Sequence, residues 1–197
     1  PLILDSTGKK FGKSEGNALW LDKNKTSSYE LYQYLINSDD NCVIDYLKKL
    51  TFLSKEEIEA LEAKNNEAPH LREAHKALAK EVISFIHSEE KYDEAVRISN
   101  ALFSGKINEL NAKEIEQAFD GFERTKLVED KNLVDILVEI KAASSKREAR
   151  QFIENGAVSV NGEIKKDLGF MVGKECAIED KYIVIRRGKK LYYLIEC

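Results

Sequence analysis

Two lysines and a serine near the start of the chain have the types and spacing to act on a nucleotide. Lys10 and Lys13 are three residues apart, Gly12 lies between them, and Ser14 follows directly. Ammonium groups on a glycine-containing loop can close on a nucleotide triphosphate and stabilise the negative charge that develops during group transfer. We therefore expect this loop to take part in nucleotide chemistry.

Two other interpretations of the loop stay open. A Walker A phosphate-binding loop would need a glycine where Thr7 stands, and Gly8 comes one residue too late to complete that pattern. The residues that follow also lack the pattern of a long helix, which a Walker A loop requires. A basic surface turn without a ligand is consistent with the five residues taken alone.

A second set of charges lies near the C-terminus, on a helix predicted over residues 146–155. Lys146 and Arg150 are i, i+4 neighbours on one helix face, and Arg147 lies beside them. Basic side chains gathered on one face predict contact with a polyanion.

A third set surrounds Gly188 in a predicted hairpin turn. Its cations are Arg186, Arg187, Lys189 and Lys190. Four cations around one tight turn repel one another, so a polyanion is the natural partner, although a solvated turn is an alternative. Tyr192 and Tyr193 follow the turn, and strand alternation predicts one inside and one outside, so at most one could stack on nucleic-acid bases.

The middle of the chain has the composition of stacked helices. No glycine occurs between Gly16 and Gly105, and Pro69 is the one proline in that stretch. Helix interiors exclude both residue types, so we expect a bundle of five or six helices. Helix starts are indicated by Ser27 with Glu30, Ser54 with Glu57, and Asn111 with Glu114. Asp39 or Asp40 is placed to cap a helix over residues 43–50.

The last 65 or so residues change pattern and predict a compact α+β module. Helices are predicted over residues 133–141 and 146–155, the second capped by Ser144 or Ser145 and ended by Gly156. Strands are predicted over residues 158–160, 182–187 and 191–195, and Asn161-Gly162 is a strong two-residue hairpin turn. The predicted fold class is therefore multi-domain: an α-helical bundle followed by a small α+β domain.

Composition limits the class of protein. The 197 residues, 43% hydrophobic and 34% charged, are typical of a globular protein, and no apolar run approaches the ~20 residues that a membrane span needs. No signal-peptide pattern begins the chain. Three dispersed cysteines predict no disulfide framework and fit a reducing, cytoplasmic setting. The histidines lack zinc-ligand spacing, so no metal site is expected, and His75 and His87 are predicted to lie on helix surfaces.

The net charge of −4 conceals an uneven distribution. Residues 133–197 carry 12 basic and 10 acidic side chains, whereas residues 1–132 carry 19 and 25. Local patches rather than net charge steer polyanions, so the C-terminal module is the part of the chain predicted to bind nucleic acid. The chain begins with Pro1 and its single methionine is Met171, so we expect further sequence upstream.

These segments carry a resemblance to a known family. Lys10-Phe11-Gly12-Lys13-Ser14 resembles the KMSKS signature loop of class I aminoacyl-tRNA synthetases, in the form found in bacterial tyrosyl-tRNA synthetases. Phe11 and Gly12 depart from the general class I pattern, as they do in the tyrosine branch. Residues 145–162 resemble a small RNA-binding domain named for a ribosomal small-subunit protein. Further likeness to the C-terminal half of the bacterial tyrosyl-tRNA synthetase family runs through residues 19–22, 51–58, 101–105 and 184–195.

The resemblance implies a division into domains. Residues 1–26 would end a catalytic domain, 27–120 would form the α-helical anticodon-binding domain, 121–131 a linker, and 132–197 the small α+β RNA-binding domain. Lys10, Lys13 and Ser14 would stabilise the ATP phosphates, and Lys13 would contact the ATP directly. Mg²⁺ would be bound together with the ATP.

The resemblance also implies an activity and partners for the full-length parent. The parent would activate tyrosine with ATP, transfer it to tyrosine tRNA, and form a homodimer through an upstream domain that holds the tyrosine pocket. The present chain alone would be inactive and bind no cofactor, and its tail would grip the tRNA near the long variable arm.

Two other functions are consistent with parts of this sequence. A stand-alone module for structured RNA would also explain the basic tail, while a purely helical interaction scaffold would leave it unexplained. Anticodon bases could be bound by Asp39 or Asp40, because carboxylates accept hydrogen bonds from base amino groups.

Overall fold

The structure, a computed structural model, describes Ile3, Leu4, Gly8 and residues 19–197. The chain divides into two compact units, Pro1–Ser99 and Asn100–Cys197. The helices of the first unit are α1 (Ser28–Ile36), α2 (Val43–Leu50), α3 (Lys55–Glu67), α4 (Glu73–Ile86) and most of α5 (Glu89–Ser104), with a 3₁₀ turn at Pro69–Leu71. The second unit holds the small α+β domain, which confirms the predicted fold class.

Three helices begin at the N-cap residues that the sequence predicts. The Ser27 hydroxyl accepts a hydrogen bond from the Glu30 amide before α1, and Ser54 with Glu57 forms a full capping box before α3. Each cap satisfies an amide that would otherwise lack a partner at the helix start. Asn111 with Glu114 forms a second capping box before α6 (Ala112–Ala118) in the second unit.

The predicted cap of α2 is wrong. Cys42 is the N-cap residue and makes no side-chain capping bond. The Asp39 carboxylate instead accepts from the Asn41 amide at 2.9 Å, closing a turn just before the helix. A carboxylate that bonds two residues ahead satisfies the loop rather than the first helical turn.

Helix α4 is the centre of the first unit and packs against α1, α2 and α3. Its buried face combines small and large side chains, namely Ala74, Leu78, Ala79, Val82 and Ile83. They lie in the same apolar cluster as Leu31 and Leu35 of α1 and Val43 and Leu47 of α2. Small residues let the helix axes approach while the leucines fill the space between them.

His75 also lies on this buried face, which corrects the prediction of a surface histidine. Its side chain is 0% exposed, and its Nε2 lies 3.1 Å from the carbonyl oxygen of Ser38. His87, predicted on the surface too, is partly buried, with Nδ1 2.7 Å from the Ser28 hydroxyl and Nε2 2.9 Å from the Leu21 carbonyl. Helical spacing correctly predicts that His75 lies on α4 and that His87 lies at its end. It does not predict their burial, which depends on hydrogen bonds between the imidazole rings and backbone carbonyls that are distant in sequence.

The second unit is built on a five-stranded sheet. Its strands are β1 (Arg124–Lys126), β3 (Val158–Val160), β4 (Glu163–Ile164), β6 (Tyr182–Arg187) and β7 (Leu191–Glu196), in the order β1-β7-β6-β3-β4. Strand β1 runs parallel to β7, and the other pairs are antiparallel. A separate pair joins β2 (Lys131–Asn132) to β5 (Met171–Val172). Helices α7 (Leu133–Glu139) and α8 (Lys146–Glu154) and 3₁₀ turns at Ile107–Glu109 and Lys174–Cys176 complete the unit.

The segment 121–131, predicted as a linker, contains β1 and the first residue of β2. Strand β1 forms the edge of the sheet by pairing Arg124 with Leu194 and Lys126 with Glu196. The segment is therefore hydrogen-bonded into the second unit, and the predicted domain boundaries themselves stay a prediction.

Both faces of the sheet are covered. Ile183 and Ile185 on β6 face the apolar cluster formed with α7 and α8. The alternate residues of the strand point to the opposite face, where the Tyr192 ring lies 5.7 Å from that of Phe119 and its hydroxyl donates to the Leu102 carbonyl. Tyr192 and Tyr193 point to opposite faces, as strand alternation predicts, and both are packed against neighbouring residues.

The predicted hairpin turn Asn161-Gly162 joins β3 to β4 and lies against the end of α5. Both residues have positive φ, 49° and 92°, as a two-residue turn of this type requires. A Cβ on Gly162 would lie 1.9 Å from the Gly105 carbonyl oxygen. The turn therefore needs glycine both for its backbone conformation and for this close contact.

We expect Gly162→Ala to destabilise the second unit more than Gly121→Ala. Gly121 also has positive φ, 75°, but nothing lies within 4 Å of its Cβ position. Alanine there should cost about 1–2 kcal/mol of unfolding free energy, from backbone strain alone. Gly162→Ala should cost about 1–3 kcal/mol more, because the Gly105 backbone must move. Urea unfolding of both variants tests this, and equal losses would contradict the close contact.

Candidate nucleic-acid interface

Helix α8 presents its basic residues to solvent. Ser145 is its N-cap and accepts from the Glu148 amide, as one of the two predicted serines. Lys146, Arg147 and Arg150 are all exposed. Lys146 is already paired, with its Nζ 2.6 Å from Asp135 Oδ1 on α7. Within the described part of the chain, Arg147 and Arg150 make no ion pair.

The acidic residue between these arginines is turned away from them. The Glu148 carboxylate accepts from the Ser144 amide at 2.6 Å and from the Ser144 hydroxyl at 2.7 Å. These hydrogen bonds lower the pKa of Glu148, with the Ser144 amide the largest cause. The carboxylate therefore bonds to Ser144 at the start of the helix and does not pair with either arginine. Both guanidinium groups can then bind an external anion.

The two arginines of the hairpin have structural contacts on opposite faces of β6. Arg187 Nη1 donates to the Ala142 carbonyl at 2.5 Å, and its guanidinium carbon lies 5.1 Å from the centroid of the Phe152 ring. The guanidinium nitrogens of Arg186 lie 3.6 Å from the position of a Cβ on Gly105. Both guanidinium groups are thus packed within the second unit.

The lysines of the same turn differ from the arginines. Lys189 and Lys190 are exposed, and neither has an ion pair with any residue that the structure describes. The Gly188 amide donates to the Ala157 carbonyl at 2.8 Å, which holds the turn beside the C-terminal end of α8.

Arg187 and Gly188 therefore bring together two basic sets that are about 40 residues apart in sequence. The α8–hairpin surface consists of Arg147, Arg150, Lys189 and Lys190. Arg147 and Arg150 are three residues apart, which is about 4.5 Å along the α8 axis, and the turn at the C-terminal end of α8 adds the two lysines. Four unpaired cations grouped in this way are suited to a phosphate backbone.

Lys141 belongs near this surface and was missed by the sequence analysis. It follows α7 with φ 57°, is exposed, and directly precedes Ala142, whose carbonyl binds Arg187. It falls inside the helix predicted over residues 133–141, whereas α7 ends at Glu139. Ala142 and Ala143 after the lysine favour a helix, so no local signal marked the turn at Lys141.

Asp39 and Asp40, the predicted anticodon residues, lie in the loop between α1 and α2. Asp40 Oδ1 lies 3.3 Å from His75 Nε2 and 3.6 Å from Arg72 Nη1, while the Asp40 side chain stays 51% exposed. Arg72 also donates to the Ile36 carbonyl at 2.8 Å and the Ser38 carbonyl at 2.9 Å. The loop is therefore anchored by two side chains from the start of α4 and its preceding turn.

Other predicted features have the following places. Lys10, Lys13 and Ser14 lie outside the described residues. Within Ile3, Leu4, Gly8 and 19–197, no group of three or more His, Cys, Asp or Glu side chains is arranged to hold a metal ion. None of the helices in these ranges has the length and apolar character needed to cross a membrane.

Two family models match the chain. Residues 1–104 match tRNA synthetases class I (W and Y), and residues 114–195 match the tyrosine–tRNA ligase SYY-like C-terminal domain. Because the first match covers more than half of the chain, the protein belongs to the class I tRNA synthetases of the tryptophan and tyrosine group.

Curated relatives agree with this assignment. A tyrosine–tRNA ligase of Bacillus velezensis is 52% identical over 198 residues, and one of Staphylococcus saprophyticus is 50% identical over 196 residues. Each alignment covers 99% of this chain and 47% of the relative, so the chain spans about half the length of these relatives. A solution structure of a tyrosyl-tRNA synthetase C-terminal domain matches 49% of the chain and 98% of its own length, with 47% identity and a TM-score of 0.40.

We expect the stability of the first unit to fall in mild acid because of His75. Burial, with a smaller contribution from the Arg72 charge, lowers the pKa of His75. The neutral ring is therefore favoured in the native state, and its contribution is complete above the unfolded-state pKa of about 6.5. Stability is lost as the pH falls below that value toward the lowered native pKa.

Urea unfolding at pH 7.5 and 5.5 measures this loss. Wild-type protein should lose more unfolding free energy between the two pH values than His75→Gln, whereas His70→Gln, at an exposed position, should behave as wild type. An equal pH dependence in wild type and His75→Gln would rule out His75 as the titrating group.

Proposed function

We propose that this chain is the tRNA-binding part of a tyrosine–tRNA ligase, an enzyme that activates tyrosine with ATP and transfers it to tyrosine tRNA. The observation that carries the proposal is the α8–hairpin surface, whose unpaired cations lie in a unit that matches the ligase C-terminal domain. The choice of tyrosine as the amino acid rests on relatives that are tyrosine–tRNA ligases.

The chemistry of the surface supports an RNA ligand. Neutralising phosphates releases condensed counterions, and this drives binding without any need for base contacts. Arg147 and Arg150 can each make two parallel hydrogen bonds to a phosphate, whereas Lys189 and Lys190 act as point charges. Arg187 and Lys146, predicted as RNA contacts too, would need to release their present partners to reach a phosphate directly. Arg186, also predicted, lies beside Gly105 and has no ion pair with a described residue.

We assign the ATP-phosphate role to Lys10, Lys13 and Ser14 on the strength of their sequence pattern. In the full-length enzyme they would stabilise the phosphates of ATP, with Mg²⁺ sharing that charge, as the tyrosine carboxylate attacks. The tyrosine pocket and the homodimer contact would lie in the part of the relatives that this chain does not cover. The enzyme would be located in the cytoplasm.

For the anticodon, the anchored loop between α1 and α2 supports Asp40 in particular. Its carboxylate is half exposed and is oriented by His75 and Arg72. A carboxylate held in this way can accept a hydrogen bond from the amino group of an unpaired base. Asp39 remains the second candidate, since its carboxylate is already bonded to Asn41.

Binding of a tyrosine tRNA transcript at several salt concentrations tests the RNA-binding surface. Arg147→Ala combined with Arg150→Ala should weaken binding and reduce the slope of log K against log salt by about two, roughly one for each lost phosphate contact. The charge-matched control is Lys55→Ala with Lys80→Ala, two cations of the first unit that already have glutamate partners. An unchanged slope in the arginine variant would exclude both residues as contacts.

The same assay with a second tRNA separates the two functions considered from the sequence. Preference for tyrosine tRNA supports the ligase fragment. Equal binding of both tRNAs favours a general module for structured RNA.

We also expect the isolated chain to be unable to form tyrosyl-adenylate, because the proposed tyrosine pocket is not part of it. Tyrosine-dependent exchange of labelled pyrophosphate into ATP should stay at background, with a full-length tyrosine–tRNA ligase as the positive control. Exchange above background would show that the chain carries a complete activation site, against the proposed division of labour.

A further inference from the structure

Phe103, in the last turn of α5, is the most exposed large apolar side chain among the described residues, at 94%. Two other exposed rings, Phe52 and Phe85, at least contact each other, with centroids 5.1 Å apart. Phe103 has no ring partner within the described part of the chain. Helix spacing does not require an aromatic residue here, since the core positions of this turn are supplied by Ile98 and Ala101.

The backbone on either side of Phe103 lies against the hairpin strands. The Leu102 carbonyl accepts from the Tyr192 hydroxyl at 3.2 Å, and Gly105 lies under the Arg186 guanidinium. Arg186 and Tyr192 face each other across β6 and β7. The end of α5 is therefore fixed at a known position along the hairpin, within the second unit.

That position is next to the cationic turn. Lys189 comes three residues after Arg186, and Lys190 directly precedes Leu191, the strand partner of Arg187. Since a strand advances about 3.3 Å per residue, the backbone of both lysines lies within about 10 Å of Arg186 along the hairpin. Lys106 follows Phe103 by three residues and forms an ion pair with Glu109, with its Nζ 3.1 Å from Glu109 Oε1. A single exposed ring thus lies near the cationic turn.

We propose that Phe103 is a stacking site for one unpaired RNA base, next to phosphate contacts at Lys189 and Lys190. The inference rests on the proposed RNA-binding function. It adds a site at the end of α5, on the opposite face of the sheet from α8, that shares Lys189 and Lys190 with the α8–hairpin surface. A nucleotide presents a flat apolar base and a charged phosphate a few ångströms apart, and an aromatic ring beside lysines matches both parts. A protein partner would call for a contiguous apolar patch, whereas Phe103 is a single ring beside polar backbone at Leu102 and Gly105.

The test is binding of tyrosine tRNA to the 197-residue chain, by fluorescence anisotropy, for three variants. Phe103→Leu keeps an apolar side chain but removes the ring, and should weaken binding about 5- to 100-fold. Phe103→Trp keeps a stacking surface and should bind within about twofold of wild type. Phe52→Leu is the matched control, since Phe52 is 83% exposed and lies in the first unit. It should leave affinity unchanged.

The salt dependence separates stacking from phosphate contact. Phe103→Leu should lower affinity at every salt concentration while the slope of log K against log salt stays that of wild type, because no cation is removed. A reduced slope, an equal loss in Phe52→Leu, or failure of Phe103→Trp to bind would each overturn the inference.

Two outcomes distinguish this inference from the function on which it rests. If wild-type chain binds tRNA and Phe103→Leu binds equally well, the stacking site is wrong while the proposed function stands. If wild-type chain does not bind tRNA at all, both fail. A Phe103→Leu variant with unchanged RNA affinity but altered sedimentation would assign the ring to contact with a second copy of the chain, and would also overturn the stacking site.

Discussion

Burial of strand β6 on both faces is the constraint on which the second unit depends. Ile183 and Ile185 pack toward α7 and α8, while Tyr182 and Val184 point to the opposite side and are equally buried. A strand with side chains of period two can satisfy this only if apolar residues occupy successive positions, as they do from Tyr182 to Ile185. The register with β3 and β7 fixes the position of the neighbouring strands and of the turn in which Gly162 approaches Gly105.

The same strand accounts for the different roles of the neighbouring cations. Arg186 and Arg187 continue the alternation, so one guanidinium lies against Gly105 and the other reaches Ala142 and Phe152. Long arginine side chains can pack their stems and still use their hydrogen-bond donors. Beyond them the chain turns, and Lys189 and Lys190 have no neighbouring sheet face to pack on. The basic turn therefore contains two positioning residues and two solvent-facing charges.

In the first unit, a comparable arrangement holds the loop between α1 and α2. Arg72 donates to two carbonyl oxygens that follow α1, and buried His75 lies within hydrogen-bonding distance of the same loop. These contacts keep Asp40 oriented although it lies on an exposed segment. A loop that is held by Arg72 and His75 can present a carboxylate in one geometry, as the proposed contact with a base edge would require.

The sequence by itself determined where helices begin, where the hairpins turn and where positive charge gathers. Ser54, Asn111, Ser145 and the Asn161-Gly162 turn act through atoms only a few residues away, so local patterns predicted them. Only the tertiary structure decided the burial of His75 and which cations already have partners. Arg187 meets Ala142 across 45 residues and Arg72 meets Ile36 across 36. Such pairs depend on register and packing of whole elements, and the free energy of burying a charge depends on the partner that packing supplies.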